Sequence, residues 1–419
     1  MRKLQLSFGL TVLFLLVGCG GKGPAGIDGG PGEAKTDAGQ PPPQYVVAGS
    51  NTTPEGTTSY VAIVDSLDAG TTIDYTKVLE VPGQAGIVGP EKGGYFLVGS
   101  DAEAALTRYD VSATGFTQGA KLSFAAFGVR AGAASPQRAA FVSGTRMFYL
   151  SRFTPDLFEI DPSQMTITTR LSLSELTPTA VGAPSGFSEI NNGMIIRDGK
   201  LFIFCEHWNL MTSASFPVAR VAVVDLATNA ITYTTDTRCG GLVWMAQGPD
   251  GALYGSTLLS AFNVIRRPAT PGACVLRIPK DSTVLDTGYK VEMKDSFSGA
   301  MSATVFFDDQ LSPWTFTLPV AEIPSAVMTQ GVRGFYATSA FRWTKLTADM
   351  KPVAQAAPVQ TGLIVATWTM GGTVYVPTLT KTPFNGNSVD STKLYRFVGG
   401  QPIEMITFRG VSYGAVQVH

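Results

Sequence analysis

Side chains that could carry out catalysis are sparse in this 419-residue sequence. It contains two histidines, His207 and His419, which are too few for a three-histidine metal site, and nothing around them supports a Ser-His-Asp triad. HExxH, CxxC, EF-hand and phosphate-loop motifs do not occur. We therefore predict a protein that is not an enzyme and has no metal or cofactor of its own. A calcium cage of Asp, Asn and Glu oxygens leaves no sequence signature, so a metal-dependent hydrolase stays an alternative.

Arginines beside aromatic residues recur in predicted loops, as in Arg152-Phe153 and Phe341-Arg342. A guanidinium pairs with oxygen anions and stacks on aromatic rings, so this combination favours a planar, anionic, aromatic ligand. For each residue alone, a solvated or ion-paired arginine or a core tryptophan is the simpler interpretation, and the hypothesis concerns the whole set. The candidate ligand-binding residues are Arg130, Arg152, Trp208, Arg238, Trp244, Arg266, Arg342, Trp368 and Tyr413.

A repeated strand and turn pattern would bring these loops together. An alternating strand ends in Asp225, a polar turn follows, and the apolar Ile231 comes six positions later; Asp161 and Ile167 repeat the pattern. Asp favours such turns because its carboxylate bonds to the backbone two residues on. Seven anchors of this kind end at Asp65, Asp110, Asp161, Asp225, Pro279, Thr347 and Phe397.

Most anchors are preceded by another strand that follows a glycine-bearing turn, such as Asp198-Gly199. A unit of four short strands every ~40–55 residues is typical of a β-propeller blade. We therefore predict an all-β chain folded as a single β-propeller with seven blades, with six or eight as alternatives. The alternating segment from Ser412 to Val418 is predicted to pair with the strands near Tyr45 and close the ring.

The composition agrees with such a fold. Hydrophobic residues make up 44% of the chain, enough for a large core, and extensive disorder is excluded. Charged residues are 15% and the formal net charge is −1, so the chain lacks the basic character of a nucleic-acid-binding protein. Forty-six glycines fit a fold with many turns.

The N-terminal residues have the pattern of a bacterial lipoprotein signal. Two basic residues precede an apolar run of about fourteen, which ends in Leu-Val-Gly before Cys19. This pattern resembles a lipobox, which would leave Cys19 as the lipidated first residue. Gly20 then favours the outer membrane, facing either the periplasm or the outside. The predicted parts are a signal peptide (1–18), a flexible Gly/Pro-rich tether (19–43) and a propeller domain (44–419).

Three cysteines remain after Cys19, which fits an oxidising compartment. Cys239 and Cys274 lie in loop-rich stretches on either side of one predicted blade, and we predict that they form a disulfide. Cys205 lies in an apolar strand and is predicted to be a buried thiol, although whether it is free stays open.

The lipobox, the tether and a single degenerate propeller beginning with YVVAGS at Tyr45 together resemble the DUF4374-type, MxcI-like β-propeller lipoproteins. The segment NNGMIIRDGKLFIFCEHW, which ends at Trp208, and VWMAQGPDGALYGS, which ends at Ser256, carry the similarity further. The resemblance implies binding of a ferric catecholate siderophore at the cell surface. It also implies hand-over to a TonB-dependent outer-membrane transporter, with iron present only inside the siderophore.

Two other functions stay open at this stage. A propeller can act as a protein-interaction scaffold of the bacterial envelope, because fold alone does not decide function. A metal-dependent propeller hydrolase or lactonase is the other alternative, and it would require a divalent ion on the propeller axis.

Overall fold

A computed structural model describes residues 44–53, 56–112, 115–129, 138–151, 154–209, 214–257, 274–293, 301–318, 341–355, 367–380 and 391–419. All of them belong to one compact unit, Pro42–His419. The predicted signal peptide, Cys19 and the tether lie outside the described residues. No helix in the part of the chain that the structure describes is long and apolar enough to cross a membrane.

The strands form seven antiparallel sheets, so the predicted seven-bladed β-propeller is confirmed. Blade 1 contains β1 (Tyr45–Thr53), β2 (Gly56–Val64), β3 (Leu79–Pro82) and the last strand, β29 (Val411–Gln417). Blade 2 contains β4 (Ala85–Val88), β5 (Tyr95–Ser100), β6 (Ala105–Ser112) and β7 (Gly115–Ser123). Blade 3 contains β8 (Ala139–Ser143), β9 (Arg146–Leu150), β10 (Asp156–Asp161) and β11 (Thr166–Ser172). Blade 4 contains β12 (Phe187–Arg197), β13 (Lys200–Asn209), the short β14 (Ala214–Ser215), β15 (Ala219–Asp225) and β16 (Ile231–Asp236).

The remaining three blades have four strands each. Blade 5 contains β17 (Trp244–Gln247), β18 (Leu253–Ser256), β19 (Cys274–Ile278) and β20 (Val291–Glu292). Blade 6 contains β21 (Met301–Phe307), β22 (Pro313–Leu318), β23 (Arg342–Leu346) and β24 (Pro352–Gln355). Blade 7 contains β25 (Trp368–Met370), β26 (Thr373–Thr380), β27 (Ser391–Val398) and β28 (Gln401–Arg409).

The ring closes through the C-terminal strand, as the sequence predicts. β29 pairs antiparallel with β1, with Tyr45 opposite Gln417 and Val47 opposite Ala415. The two ends of the domain thus complete one sheet, in which β29 is the innermost strand of blade 1.

The predicted anchors are the turns between the third and fourth strands of the blades. In blade 4, Asp225 Oδ1 accepts hydrogen bonds from the backbone N–H groups of Ala227 and Thr228 at 3.0 Å each. Hydrogen bonds from Lys200 and Thr228 lower the pKa of Asp225 to about 2. The carboxylate therefore stays ionised, and the turn keeps its acceptor, at any pH near neutral.

The blades stand around an axis with their first strands innermost, because the first strands of neighbouring blades contact each other. Successive strands are antiparallel, so the connections alternate between two ends of the ring. In blades 2 to 7, one turn joins strands one and two and another joins strands three and four. We call the end of the ring that carries these turns the turn end. The loop end carries the connections between strands two and three and those between blades. The domain begins and finishes at the turn end, where Tyr45 lies opposite Gln417.

The hydrophobic core lies between the blades, and strand alternation assigns side chains to it. On β13, Leu201, Ile203 and Cys205 join a buried cluster with blade 3 residues. Phe202 and Phe204, which point the other way, join a cluster with blade 5 residues. Each central strand thus packs against both neighbours, as expected for period-2 side-chain placement.

Several arginines connect neighbouring blades at the turn end. Arg108 of blade 2 donates to the carbonyl oxygen of Pro162 in blade 3 at 3.1 Å. Arg146 of blade 3 donates to that of Leu226 in blade 4 at 2.6 Å. Arginine is therefore used structurally in this chain, to satisfy turn carbonyls of the next blade.

Candidate ligand-binding site

A cavity of about 320 Å³ lies on the propeller axis. Its described lining comes from the first strands of six blades, from the residues that flank them and from Phe204 of β13, and most of these residues are apolar. Its lining residues include the aromatic Phe141, Trp244 and Trp368 and the thioether residues Met194 and Met245. A concave, mainly apolar cavity with a few polar groups is the usual form of a small-molecule site.

The two tryptophans reach this cavity because each one begins the innermost strand of its blade. Trp368 pairs with Tyr375 across the tight Gly371-Gly372 turn, which places it near the turn end. Trp244 pairs with Ser256 across a longer hairpin and lies further towards the loop end. Both are largely buried, with 3% and 7% of their surface exposed, so each presents only part of its indole to the cavity.

Polar groups line the cavity at the turn end. Among its described lining residues, Glu91 is the only ionisable one. It lies in the connection between β4 and β5, and Gln417 lies at the end of β29. The Gln417 amide donates through Nε2 to the His419 carbonyl oxygen at 3.0 Å. Its Oε1 is therefore the group that remains available as an acceptor.

Of the nine predicted ligand-binding residues, the structure brings Trp244 and Trp368 together at the cavity. Trp208 lies on β13, is 7% exposed and is not among the described lining residues. Arg342 begins β23 at the loop end, opposite Thr317 on β22. Tyr413 lies within β29. Arg130, Arg152 and Arg266 fall outside the described residues, in the connections β7–β8, β9–β10 and β18–β19.

Arg238 is held by hydrogen bonds within blade 4 and to blade 5. All three of its guanidinium nitrogens donate hydrogen bonds: to Asp236, and to the main-chain oxygens of Asp286, Thr287 and Tyr289 in blade 5. The hydrogen bonds that Arg238 donates to the Asp236 carboxylate raise the pKa of Arg238. This arginine therefore joins blade 4 to blade 5, and we do not retain it in the site.

His207 and the three cysteines of the described residues lie in the interior of the propeller. His207 is fully buried, its Nε2 lies 2.5 Å from the Leu176 carbonyl oxygen, and burial lowers its pKa. Cys239 and Cys274 are joined as a disulfide with their Cα atoms 6.0 Å apart, and Cys205 is a buried cysteine outside that disulfide. The residues that the structure describes hold no group of three or more His, Cys, Asp or Glu arranged to bind a metal ion.

One pentapeptide, GVSYG at 410–414, has the GxSxG spacing of a hydrolase nucleophile. In such hydrolases the serine lies exposed on a sharp turn between a strand and a helix. Here Ser412 is within strand β29, buried, and its Oγ donates to the Ala48 carbonyl oxygen at 2.6 Å. The motif is thus part of the sheet that closes the ring.

Sequence reasoning missed Glu91 and Gln417, because it considered only the loop end. The available signal was the length of the β4–β5 connection. It runs from Gly89 to Gly94, whereas the equivalent turn in blade 4 consists of Asp198 and Gly199 alone. A longer turn beside the axis leaves room for a side chain at the mouth of the cavity.

No protein-family model matches this sequence, and no curated protein matches it. Solved structures do resemble the fold. A "putative 6-phosphogluconolactonase" of Bacteroides fragilis has a TM-score of 0.55 at 8% identity, over 93% of this chain and 100% of its own. A "hypothetical selenium-binding protein" of Sulfolobus tokodaii has a TM-score of 0.54 at 9% identity, over 90% and 94%. At such identities the similarity shows the fold alone.

Proposed function

We propose that this chain is a non-enzymatic, lipid-anchored propeller of the outer membrane that binds a ferric catecholate siderophore. The observation that carries the proposal is the meeting of Trp244 and Trp368 at one axial cavity. Indole rings provide stacking surfaces for a catechol ring. The resemblance to DUF4374-type lipoproteins supplies the ligand class and the transporter partner.

The size of the cavity limits how the ligand would sit. An engineered protein cavity of about 150 Å³ is large enough for benzene. A cavity of about 320 Å³ therefore has room for one or two aromatic rings, and a whole iron complex would be too large for it. In our proposal a catechol arm enters towards Trp244, and the anionic iron centre stays at the loop end. Arg342 begins its strand there, and the sequence places Arg152 and Arg266 in connections of the same end.

The test uses the lipid-free chain 44–419, which forms a closed ring by itself. The protein is titrated with a ferric catecholate and, in parallel, with a ferric hydroxamate. Binding is read from tryptophan fluorescence and from retention of the coloured complex after ultrafiltration. We expect saturable binding of the catecholate alone. Binding of neither complex would refute the function and favour the interaction scaffold, to be tested by affinity capture from envelope extract.

Matched variants locate the site. Trp244→Leu combined with Trp368→Leu should weaken catecholate binding about tenfold or more, since each aromatic contact contributes about 0.5–1.5 kcal/mol. Trp314→Leu changes a buried tryptophan at the turn-end start of β22, which is not among the described cavity lining, and it should leave the affinity unchanged. If the double variant binds as well as the parent, the cavity is the wrong site even though the function stands.

Charge reversal tests the loop end separately. Arg152→Glu together with Arg342→Glu should weaken binding of the anionic complex, because two favourable charges become repulsive. The effect should shrink as salt is raised, since dissolved ions screen the interaction between the arginines and the anionic complex. An unchanged affinity at low salt would remove these two arginines from the site.

A further inference from the structure

The turn end of the axial cavity has a second arrangement of groups, distinct in charge from the loop end. The oxygens of Glu91 and Gln417 converge on Gly371, the first residue of the β25–β26 turn. A Cβ atom built on Gly371 would lie 3.4 Å from Gln417 Oε1 and 3.9 Å from Glu91 Oε1. Two acceptor oxygens thus approach the same small volume at the mouth of the cavity.

Both acceptors are available to a ligand. The Gln417 amide is oriented by its hydrogen bond to the His419 carbonyl oxygen, and its own main-chain oxygen accepts from the Lys92 N–H at 2.8 Å. Among the described residues, Glu91 has no hydrogen-bond or ion-pair partner, and its neighbour Lys92 does not pair with it. Glu91 is also exposed to solvent, so the carboxylate is accessible. Such a pair of oxygens is suited to a group that donates hydrogen bonds and carries positive charge.

The walls behind these oxygens suit the rest of such a ligand. Trp368 and Trp244 line the same cavity, with Met370 and Met245 between the polar mouth and the loop end. Indole faces attract cations, and thioether side chains adapt to irregular apolar bodies. A ligand would therefore meet negative charge at the mouth and aromatic and apolar surface further in.

We infer that the turn end of the axial cavity binds a primary ammonium ligand with an aromatic body. Its nitrogen would donate to Glu91 and Gln417, and its ring would lie against Trp368 and Trp244. The required ligand is cationic, so this inference does not depend on the binding of an anionic siderophore. It adds a second ligand class, entering from the opposite end of the ring.

The test uses 2-phenylethylammonium as the probe and the lipid-free chain 44–419 as the protein, followed by calorimetry and by ligand-observed NMR. We expect saturable binding with a Kd on the order of 1 mM or tighter. Two matched ligands separate the contributions: neutral 2-phenylethanol should bind at least about fivefold more weakly, and 3-phenylpropionate should not bind measurably.

Variants then test the assigned residues. Glu91→Gln keeps the shape of the side chain and removes its charge, and it should weaken binding of the probe about five- to tenfold. Trp368→Leu, combined with Glu91→Gln, should weaken binding of the probe beyond the effect of Glu91→Gln alone. Asp349→Asn removes an exposed carboxylate in the turn between β23 and β24 of blade 6, and it should leave the affinity unchanged.

Three results would overturn the inference. One is the absence of saturable binding up to about 10 mM probe. The second is equal binding of 2-phenylethanol and the ammonium probe, which would make the cavity simply apolar. The third is unchanged affinity in Glu91→Gln. Failure of the siderophore titration would leave each of these readouts intact, so the two proposals fail separately.

Discussion

Arg197 provides the sharpest test of how the blades are held together. It ends β12 of blade 4 and is 5% exposed. Its Nη1 donates to the carbonyl oxygens of Gly251 and Ile278 at 3.3 Å each, and Nη2 donates to that of Ser282 at 2.5 Å. All three acceptors belong to blade 5. The guanidinium also lies over the ring of Phe202, 4.8 Å from its centroid.

The cost of Arg197→Met follows from these contacts. Three hydrogen bonds at about 1 kcal/mol each and a cation–π contact of about 0.5–1 kcal/mol give about 3–4 kcal/mol. Burial lowers the pKa of Arg197, which shows that part of this gain is spent on desolvating the charge. Methionine has no charge to desolvate, so the variant does not bear that cost. We therefore expect the free energy of unfolding to fall by about 2–3 kcal/mol. The melting temperature should fall by about 3–4 °C, because the entropy of unfolding grows with the length of the chain.

The assay is urea unfolding of the lipid-free chain at pH 7, followed by fluorescence. Lys77→Met is the matched control, because it removes a positive charge from an exposed pair with Asp74, whose side chains are 83% and 50% exposed. Such surface pairs contribute little, and the control should lose less than about 0.5 kcal/mol. If Arg197→Met is as stable as this control, the junction between blades 4 and 5 does not depend on the arginine, and the reasoning is refuted.

Three further outcomes can be measured in the same way. Replacing both Cys239 and Cys274 with Ser should lower the unfolding free energy by about 3–4 kcal/mol, because the disulfide closes a loop with a sequence separation of 35; an unchanged urea midpoint would contradict this. Gly410→Ala, between β28 and β29, should cost about 2–3 kcal/mol, since φ is 69° and the new Cβ would overlap the Ser50 carbonyl oxygen. A neutral substitution would show that the backbone there relaxes freely. Burial lowers the pKa of His207 below 6.5, so the unfolded state binds more protons and stability should fall as the pH drops through 6.5 towards the lower folded value. His207→Gln should reduce the fall in the free energy of unfolding between pH 7.5 and 5.5. The same pH dependence in the variant and the parent would show that His207 is not its cause.

The architecture could be predicted because its signals are local. Asp225 and the equivalent residues open turns through bonds to the next few backbone groups, and Asp198-Gly199 adopts two positive φ angles, 50° and 70°, which suit a tight hairpin. Alternation of side chains along β29 predicted that it would pair and close the ring, and its register with Tyr45 follows. Turn chemistry and a period of two act over a few residues, so they can be recognised in one sequence.

The site depended on placement that no local pattern contains. Trp244 and Trp368 are 124 positions apart, and they meet because each begins the strand nearest the axis of its own blade. Arg238 is held by blade 5 carbonyls, which a search for arginines beside aromatic residues does not detect. Glu91 and Gln417 converge only because the ring closes beside the β4–β5 connection. The sequence by itself determined strands, turns and closure through short-range backbone chemistry. The tertiary structure decided which side chains share the axis, because that depends on the radial position of every strand in the closed ring.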